Sequence, residues 1–257
     1  MLKDARPASD PIGQTRGGID ELRPLVGLTA MLVGMTAMAV PQPALAKTVS
    51  FAGYTWGVKS AADLLGPGPN LFSDSAQNVW VDAAGQLHLR ITYRDGRWQC
   101  AEVILDHSLG YGTYTFRIAT AIGDLGPNIT LGLFTWDDNP ASHHREIDIE
   151  FARWGNALDP TNAQFVVQPS DQAGNLMRFA QPLAAPSVHS FTWRAKSVTF
   201  ASTDATGQAI AGWRYAGRDV PRAGQERTHL NLWLYKGAPP VNGAEQEVVV
   251  SSFSFRR

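Results

Sequence analysis

The 257-residue sequence lacks most of the features that would tie it to a metal, a reactive thiol or a nucleic acid. It holds a single cysteine, Cys100, so no internal disulfide can form and no cysteine-based zinc site is expected. The formal net charge of −1 favours neither nucleic acid nor an anionic membrane surface as a partner. No acidic loop has the spacing of an EF-hand, but a calcium site built from backbone carbonyls would leave no signal in a sequence.

A long apolar run is missing after residue 46, but one precedes it. The segment LVGLTAMLVGMTAMAV, residues 25–40, is followed by Pro41 and by Ala44-Leu45-Ala46. This arrangement is typical of a secretory signal peptide cleaved after Ala46. An uncleaved anchor is the weaker alternative, because a membrane span needs about 20 apolar residues. The part upstream of the apolar run is long and carries several acidic residues, which suggests a start codon placed too early.

We therefore divide the chain into a signal peptide with an N-terminal extension, residues 1–46, and one folded domain, residues 47–257. The domain is expected to be secreted to the periplasm or the extracellular space. We expect it to be a monomer that has no stable membrane association after cleavage.

Sustained helical periodicity is also absent after residue 46. Short segments of alternating apolar and polar residues occur instead, separated by turns rich in Gly, Pro, Asn and Asp. For example, Leu87, Leu89 and Ile91 alternate with His88 and Arg90. Many short strands of this kind in a domain of this length predict an all-β fold, in which two antiparallel sheets pack as a sandwich.

Residues 146–151, EIDIEF, place an acid at every second position. Successive side chains of a strand point to opposite faces, so Glu146, Asp148 and Glu150 would share one face. The apolar residues between them would share the other face, which packs into a core. Like charges that are crowded on one face repel each other, so the acidic row calls for a functional explanation.

Hydrolysis of a glycosidic bond supplies such an explanation. A retaining hydrolase uses two carboxyls about 5 to 5.5 Å apart, one as nucleophile and one as acid/base. The Cα atoms of Glu146 and Glu150 would be roughly 13 Å apart on a strand, and two Glu side chains that lean together can close most of that distance. Asp148 between them would hold the nucleophile and raise the pKa of a neighbouring Glu. The spacing alone does not assign the two roles.

Two other interpretations of the row remain open. The first is a solvated strand face without function. The second is a metal site formed by His143, His144, Glu146 and Asp148. Adjacent histidines on an extended chain point in opposite directions, which disfavours the metal site.

The hexapeptide resembles the signature of the family 16 glycoside hydrolases, which include the bacterial lichenases and their laminarinase and xyloglucan-active relatives. Other short segments follow in the family's order across most of residues 70–255. They are Asn78-Val79-Trp80-Val81, Cys100-Ala101-Glu102, Tyr111-Gly112-Thr113-Tyr114, Leu133-Phe134-Thr135-Trp136, Gln164-Phe165, His189-Ser190-Phe191-Thr192-Trp193 and Asn231-Leu232-Trp233. The resemblance implies an antiparallel two-sheet β-jelly-roll sandwich of the concanavalin A-like type, whose concave sheet grips a glucan chain.

The resemblance also implies roles for individual residues. Glu146 would be the nucleophile, Asp148 its helper and Glu150 the general acid/base. The positions that match the family's sugar cleft are Glu102, Trp136, Gln164, Asn231 and Trp233. No cofactor is required by this chemistry, and some family members hold a structural calcium ion on the convex side, which we allow for here.

The sequence departs from the family at positions that bear on the substrate. Ile104 stands where the family has a sugar-binding arginine, and Val166 stands where it has an asparagine. Lichenases often pair two cysteines near the cleft, whereas this chain has only Cys100. Trp154, just past the acidic row, is a local feature that either supplies another sugar subsite or packs on the rim of the sandwich.

We expect a secreted, retaining endo-glycosidase whose partner is a β-linked polysaccharide, most simply a β-glucan. The alternatives are a transglycosylase that uses the same site, a non-catalytic carbohydrate-binding sandwich and a structural surface protein. The acidic row distinguishes the enzymes from the last two, which have no need of it.

Overall fold

Sixteen β-strands and two short 3-10 helices make up the part of the chain that the computed structural model describes, residues 44–257. The strands are β1 (Ala44–Phe51), β2 (Tyr54–Ser60), β3 (Leu71–Phe72), β4 (Val79–Val81), β5 (Leu87–Arg94), β6 (Arg97–Leu105), β7 (Gly112–Ile118), β8 (Ile129–Trp136), β9 (Ile147–Phe151), β10 (Ala163–Val167), β11 (Leu176–Phe179), β12 (Ser187–Arg194), β13 (Ser197–Asp204), β14 (Ala209–Tyr215), β15 (Arg227–Leu234) and β16 (Gln246–Arg256). The 3-10 helices span Pro140–Arg145 and Tyr235–Gly237.

The predicted signal peptide and N-terminal extension lie outside the described residues, apart from the backbone of residues 44–46, which begins β1. Within the described range, no helix is long and apolar enough to cross a membrane.

The strands form two layers. The first layer has the order β11-β10-β9-β8-β15-β6, and β2 and β1 continue it beyond β6. The second layer has the order β4-β5-β16-β7-β12-β13-β14. The β5–β6 hairpin connects the layers, and β3 pairs with β6 in parallel while the other pairings are antiparallel. The prediction of an all-β, antiparallel jelly-roll sandwich is confirmed.

One hydrophobic core fills the space between the layers. The apolar side chains of β9 behave as the alternation predicts, since Ile147, Ile149 and Phe151 are buried. Phe151 meets His189 of the second layer edge-on, with ring centroids 4.7 Å apart. Burial of alternate β-branched and aromatic side chains therefore turns the other face of β9, with its carboxyls, away from the second layer.

Cys100 is fully buried in this core, as expected for a lone cysteine that acts as a small apolar residue. Burial raises the pKa of its thiol to about 12, so the thiolate that reactions require does not form near neutral pH.

Candidate active site

The three acids lie on one face of a strand in the interior of the first layer. Asp148 and Glu150 belong to β9, which pairs with β8 on one side and β10 on the other. Glu146 directly precedes β9 with extended backbone angles of φ −86° and ψ 126°. The Gln168 N–H donates to the Glu146 carbonyl over 3.2 Å and extends the ladder by one residue. The row predicted from the alternation is therefore present, and we call this side of the layer the carboxyl face.

The neighbours of Asp148 on this face are apolar. Phe134 of β8 and Val166 of β10 lie opposite it across the two ladders, and both are buried. Asp148 itself is only 2% exposed. Burial raises its pKa well above the ordinary value, and the charges of Glu146 and Glu150 raise it further. Val166, which departs from the family pattern, thus helps to create the buried environment that raises the pKa of this carboxyl.

The outer two acids are half-buried, and their pKa values are also raised. Burial is the main cause of the rise to about 8 for Glu146, and the charge of Glu150 adds to it. A hydrogen bond with Asp148 opposes that rise. Burial raises the pKa of Glu150 to about 7, against the lowering effects of a Gln164 hydrogen bond and the Arg178 charge. Together the three groups hold more protons near neutral pH than ordinary carboxyls do. A general acid must be protonated near neutral pH, whereas a nucleophilic carboxyl must be ionised.

Two glutamine side chains of the adjacent chain segment support the row. Gln164 Nε2 donates to Glu150 Oε2 over 2.7 Å, and Gln168 Nε2 donates to Asp148 Oδ2 over 3.1 Å. Gln164 was predicted from the sequence, whereas Gln168 was not. Its spacing of four residues from Gln164 is the signal that could have identified it, because the two positions share one face of an extended chain.

Tryptophans lie on the carboxyl face at both ends of the row. Trp136 is the last residue of β8, and its ring stacks on His144 with centroids 3.8 Å apart. Trp233 lies beyond the Glu150 end, because it pairs with Thr130 of β8. The ring of Trp154 is 6.1 Å from that of Trp233, and its indole N–H donates to Gln164 Oε1 over 3.2 Å. Trp154 therefore lies beside the carboxyl row, and it also packs edge-on against Tyr235 with ring centroids 5.4 Å apart, so its role as a sugar subsite stays a prediction.

Asn231 and Glu102 extend the Glu150 row across the sheet. Glu150 pairs with Gly132, Gly132 with Asn231, and Asn231 with Glu102. A Cβ at Gly132 would come within 2.5 Å of Asn231 Oδ1, so glycine makes room for the Asn231 amide beside Glu150. Asn231 Oδ1 is buried without a hydrogen-bond partner among the described residues.

Glu102 is less suited to contact a sugar than the resemblance implies. Its two oxygens accept from Lys59 Nζ and His229 Nδ1, each over 2.8 Å, and the residue is 2% exposed. The Lys59 charge and the His229 hydrogen bond favour its ionised form, although burial opposes it, and its net pKa is lowered. Lys59 and His229 carry no recognisable sequence signal, because they meet Glu102 only through the pairing of β2, β6 and β15.

A strained segment leads into the row. His143, His144 and Arg145 all have left-handed backbone angles, with φ of 47°, 57° and 49°. Such angles are unfavourable for residues with a side chain, and the surrounding contacts must compensate for them. Arg145 forms an ion pair with Asp137 and donates to the Arg222 carbonyl. These contacts fix the chain where it delivers Glu146 to the carboxyl face.

The metal interpretation of the histidine pair finds no support in the structure. His144 is stacked on Trp136, and its Nδ1 lies 2.9 Å from the Asp137 carbonyl oxygen. Among the residues that the structure describes, no three His, Cys, Asp or Glu side chains gather as a metal site.

Solved structures of β-glucanases share this fold. A Bacillus licheniformis β-glucanase is 19% identical with a TM-score of 0.59, and the alignment covers 79% of this chain and 92% of that one. A β-1,3-glucanase from Mycobacterium marinum is 18% identical with a TM-score of 0.60, covering 84% and 95%. At these identities the likeness establishes the fold that the family resemblance implied.

A third structure with this fold is described as an immunostimulatory antigen and pseudo β-1,3-glucanase of Mycobacterium tuberculosis. It is 23% identical with a TM-score of 0.57, and the alignment covers 76% of this chain and 88% of that one. The sequence matches no protein-family model, and no curated protein matches it significantly.

Proposed function

We propose that this chain is a secreted, retaining endo-glycosidase that cleaves a β-glucan by double displacement. The observation that carries the proposal is the carboxyl face itself, where three acids with raised pKa values share an interior strand and tryptophans flank both ends. Surface acids without function would be exposed and would titrate normally. The β-glucanase names of the structures with the same fold support the choice of substrate.

In the first step, a carboxylate oxygen of Glu146 attacks the anomeric carbon. The bond from this carbon to the leaving oxygen breaks, and the Glu150 proton moves to that oxygen. A covalent glycosyl ester on Glu146 and an ionised Glu150 remain. Asp148, whose raised pKa favours the protonated form, is hydrogen-bonded to Glu146, holds the nucleophile in place and can stabilise it when Glu146 is ionised.

In the second step, ionised Glu150 takes a proton from water, whose oxygen attacks the same carbon and releases Glu146. Two inversions give net retention of the anomeric configuration. If a sugar hydroxyl takes the place of water, the same intermediate gives transglycosylation. The partly exposed rings of Trp136 and Trp154 offer apolar faces on which sugar rings can stack, whereas Trp233 is only 8% exposed and offers little area.

The departures from the family pattern bear on the fine specificity. Val166 and Ile104 are buried and apolar, so they offer no hydrogen bonds to sugar hydroxyls. We infer that recognition depends mainly on aromatic stacking, at the partly exposed rings of Trp136 and Trp154, because Asn231 is only 2% exposed. The proposal needs no cofactor, allows a structural calcium ion and includes export as a monomer after cleavage following Ala46.

The test is hydrolysis of a panel of β-glucans, xyloglucans, agars and carrageenans by the wild type and by E146Q and E150Q. We predict that the wild type cleaves a β-glucan and that NMR shows retained configuration in the first product. Both variants should lose at least about a thousandfold in kcat, because each removes a group that acts on the reacting atoms. Circular dichroism should show that both are folded.

Three results would count against the proposal. A wild type that is inert on the whole panel but binds the polysaccharides would favour a non-catalytic binding protein. A product of inverted configuration would contradict the use of Glu146 as a nucleophile. Mainly elongated products at high acceptor concentration would favour transglycosylation.

A further inference from the structure

Arg178 of β11 lies next to the carboxyl row but has no assigned part in the chemistry. It pairs across the ladder with Gln164, so the two side chains share the carboxyl face. Its Nη1 donates to Gln164 Oε1 over 3.1 Å. Trp154 Nε1 donates to the same oxygen over 3.2 Å.

These two donors determine which way the Gln164 amide points. The indole and guanidinium groups can only donate, so the atom that faces both must be the amide oxygen. The amide nitrogen then faces the other way, and it lies 2.7 Å from Glu150 Oε2. Reversing the amide would place an N–H group against two donors and leave Glu150 Oε2 facing an oxygen.

Arg178 is itself held firmly by the loop between β9 and β10. Its Nη2 donates to Asp159 Oδ2 over 2.8 Å, and its Nε donates to Thr161 Oγ1 over 3.0 Å. Nη1 also donates to the Ala152 carbonyl over 3.1 Å. The guanidinium is therefore fixed in position independently of Gln164, and it can orient the amide without moving itself.

We propose that Arg178 is a positioning residue that locks the Gln164 amide so that it always presents an N–H donor to Glu150. This inference rests on the proposed function, in which Glu150 is the acid/base. Because Oε2 accepts the Gln164 N–H, the proton that Glu150 transfers sits on Oε1. The same donor, with the nearby Arg178 charge, favours the ionised Glu150 that must act as base in the second step.

The other charged groups around Glu150 do not replace this effect. Glu146 and Asp148 in the same row are acids, so neither supplies a positive charge. From β8 the facing residues are Gly132 and Phe134, and from β10 they are Gln164 and Val166, all uncharged. Arg178 is the cation whose charge lowers the pKa of Glu150. Asp159 pairs with that cation rather than with Glu150.

The inference makes a kinetic prediction for R178M. Without Arg178, the hydrogen bond from Gln164 to the Glu150 carboxylate is lost or weakened, so Glu150 should hold its proton more tightly. The alkaline limb of the pH profile of kcat/KM should therefore move upward by about one pH unit. A smaller fraction of Glu150 should then be ionised at neutral pH and able to take a proton from water, so kcat should fall about tenfold. The ratio kcat/KM reports only the first step, the formation of the glycosyl-enzyme, so KM should fall together with kcat. Because the second step is slower, the glycosyl-enzyme should accumulate, and an activated aryl glycoside should give a burst of released aryl group.

Two further variants separate positioning from a structural role. R178K keeps a positive charge but cannot make the same set of contacts. Compared with R178M, it should therefore show a smaller shift of the alkaline limb but recover little of the lost kcat. Q164L should reproduce most of the effects of R178M. In the Q164L background, R178M should add only the part that comes from the Arg178 charge itself. R94M removes another partly buried arginine, which bonds Ser75 and Ser73 in the second-layer region, and it should leave the pH limb unchanged.

Carboxyl 13C NMR titration of Glu150, assigned with E150Q, tests the inference even if no substrate is hydrolysed. An upward shift of the Glu150 pKa in both R178M and Q164L would support it. An unchanged Glu150 pKa in R178M, or effects of R178M and Q164L that simply add, would overturn it. If the wild type cleaves no glucan but the Glu150 pKa still rises in R178M and Q164L, the proposed function is overturned, and Arg178 remains the residue that orients Gln164.

Discussion

At the scale of single residues, Asp148 shows most directly how burial sets chemistry. It lies between Phe134 and Val166 on its own face, and the acids on either side add their charges. Its pKa is therefore raised, which favours the protonated form that can donate a hydrogen bond to Glu146. An uncharged amide of the same shape should serve nearly as well as the protonated acid.

We therefore predict that D148N keeps activity within about tenfold of the wild type, whereas D148A loses a further tenfold to hundredfold, the worth of a hydrogen bond to a charged group. Steady-state kinetics at neutral pH, with thermal unfolding to check the fold, provide the comparison. Equal losses in D148N and D148A would mean that the Asp148 charge, rather than its hydrogen bond, is what the site needs.

At the scale of structural elements, β9 and the segment before it present the row. The strand was predictable, because its alternation is strict and its apolar half is made of strong strand formers. The left-handed angles at His143, His144 and Arg145 were not predictable, since none of these residues is glycine. The Asp137–Arg145 ion pair joins this segment to the end of β8, and it forms only when the end of β8 and the start of β9 lie side by side.

Breaking this ion pair should leave Glu146 less firmly fixed in its position on the carboxyl face. D137N is predicted to lower the free energy of unfolding by about 1–3 kcal/mol, less than for a fully buried pair because Arg145 is partly exposed. The kcat value should fall several-fold while KM changes little, because the variant misplaces the nucleophile but leaves substrate binding unaffected.

Urea unfolding and steady-state kinetics of D137N check this prediction. H143A is the matched control, because His143 lies in the same segment but is exposed. If D137N unfolds at the wild-type urea concentration and keeps its kcat, the ion pair does not hold the segment.

The same distinction between local and distant information explains which site residues the sequence revealed. Glu146, Asp148 and Glu150 follow from spacing within six residues, and Gln164 and Asn231 follow from family segments. Arg178, Lys59 and His229 were missed because their partners lie on other strands. Strand pairing brings Arg178 opposite Gln164, and no pattern within β11 indicates that neighbour.

At the scale of the whole molecule, the carboxyl row should cost stability as the pH rises. In the unfolded chain each Glu titrates near its ordinary pKa of 4.5, whereas Glu150 in the folded chain titrates at about 7. A carboxyl whose pKa is raised by folding stabilises the fold below the unfolded pKa, and this contribution is lost as the pH rises through the folded value. Buried His189, whose pKa is lowered to about 3, makes stability increase with pH between about 3 and 6.5, so the total profile mixes both trends.

The difference between E150Q and the wild type isolates the carboxyl contribution. We predict equal stability near pH 4 and an advantage for E150Q that grows to roughly 3 kcal/mol by pH 8, from the size of the pKa difference. Chemical denaturation of both proteins at several pH values measures this difference. A constant difference across the range would show that Glu150 titrates normally in the folded protein.

The most direct test of the account is to trap the intermediate on Glu146. The protein would be treated with an activated 2-deoxy-2-fluoro β-glucan oligosaccharide, digested, and its peptides sequenced by mass spectrometry. We predict that the wild type carries one glycosyl group, attached to Glu146, and that E146Q carries none. A sugar attached to Glu150 or to any other residue, or rapid hydrolysis of the natural glucan with inverted configuration and no trapped ester, would contradict it.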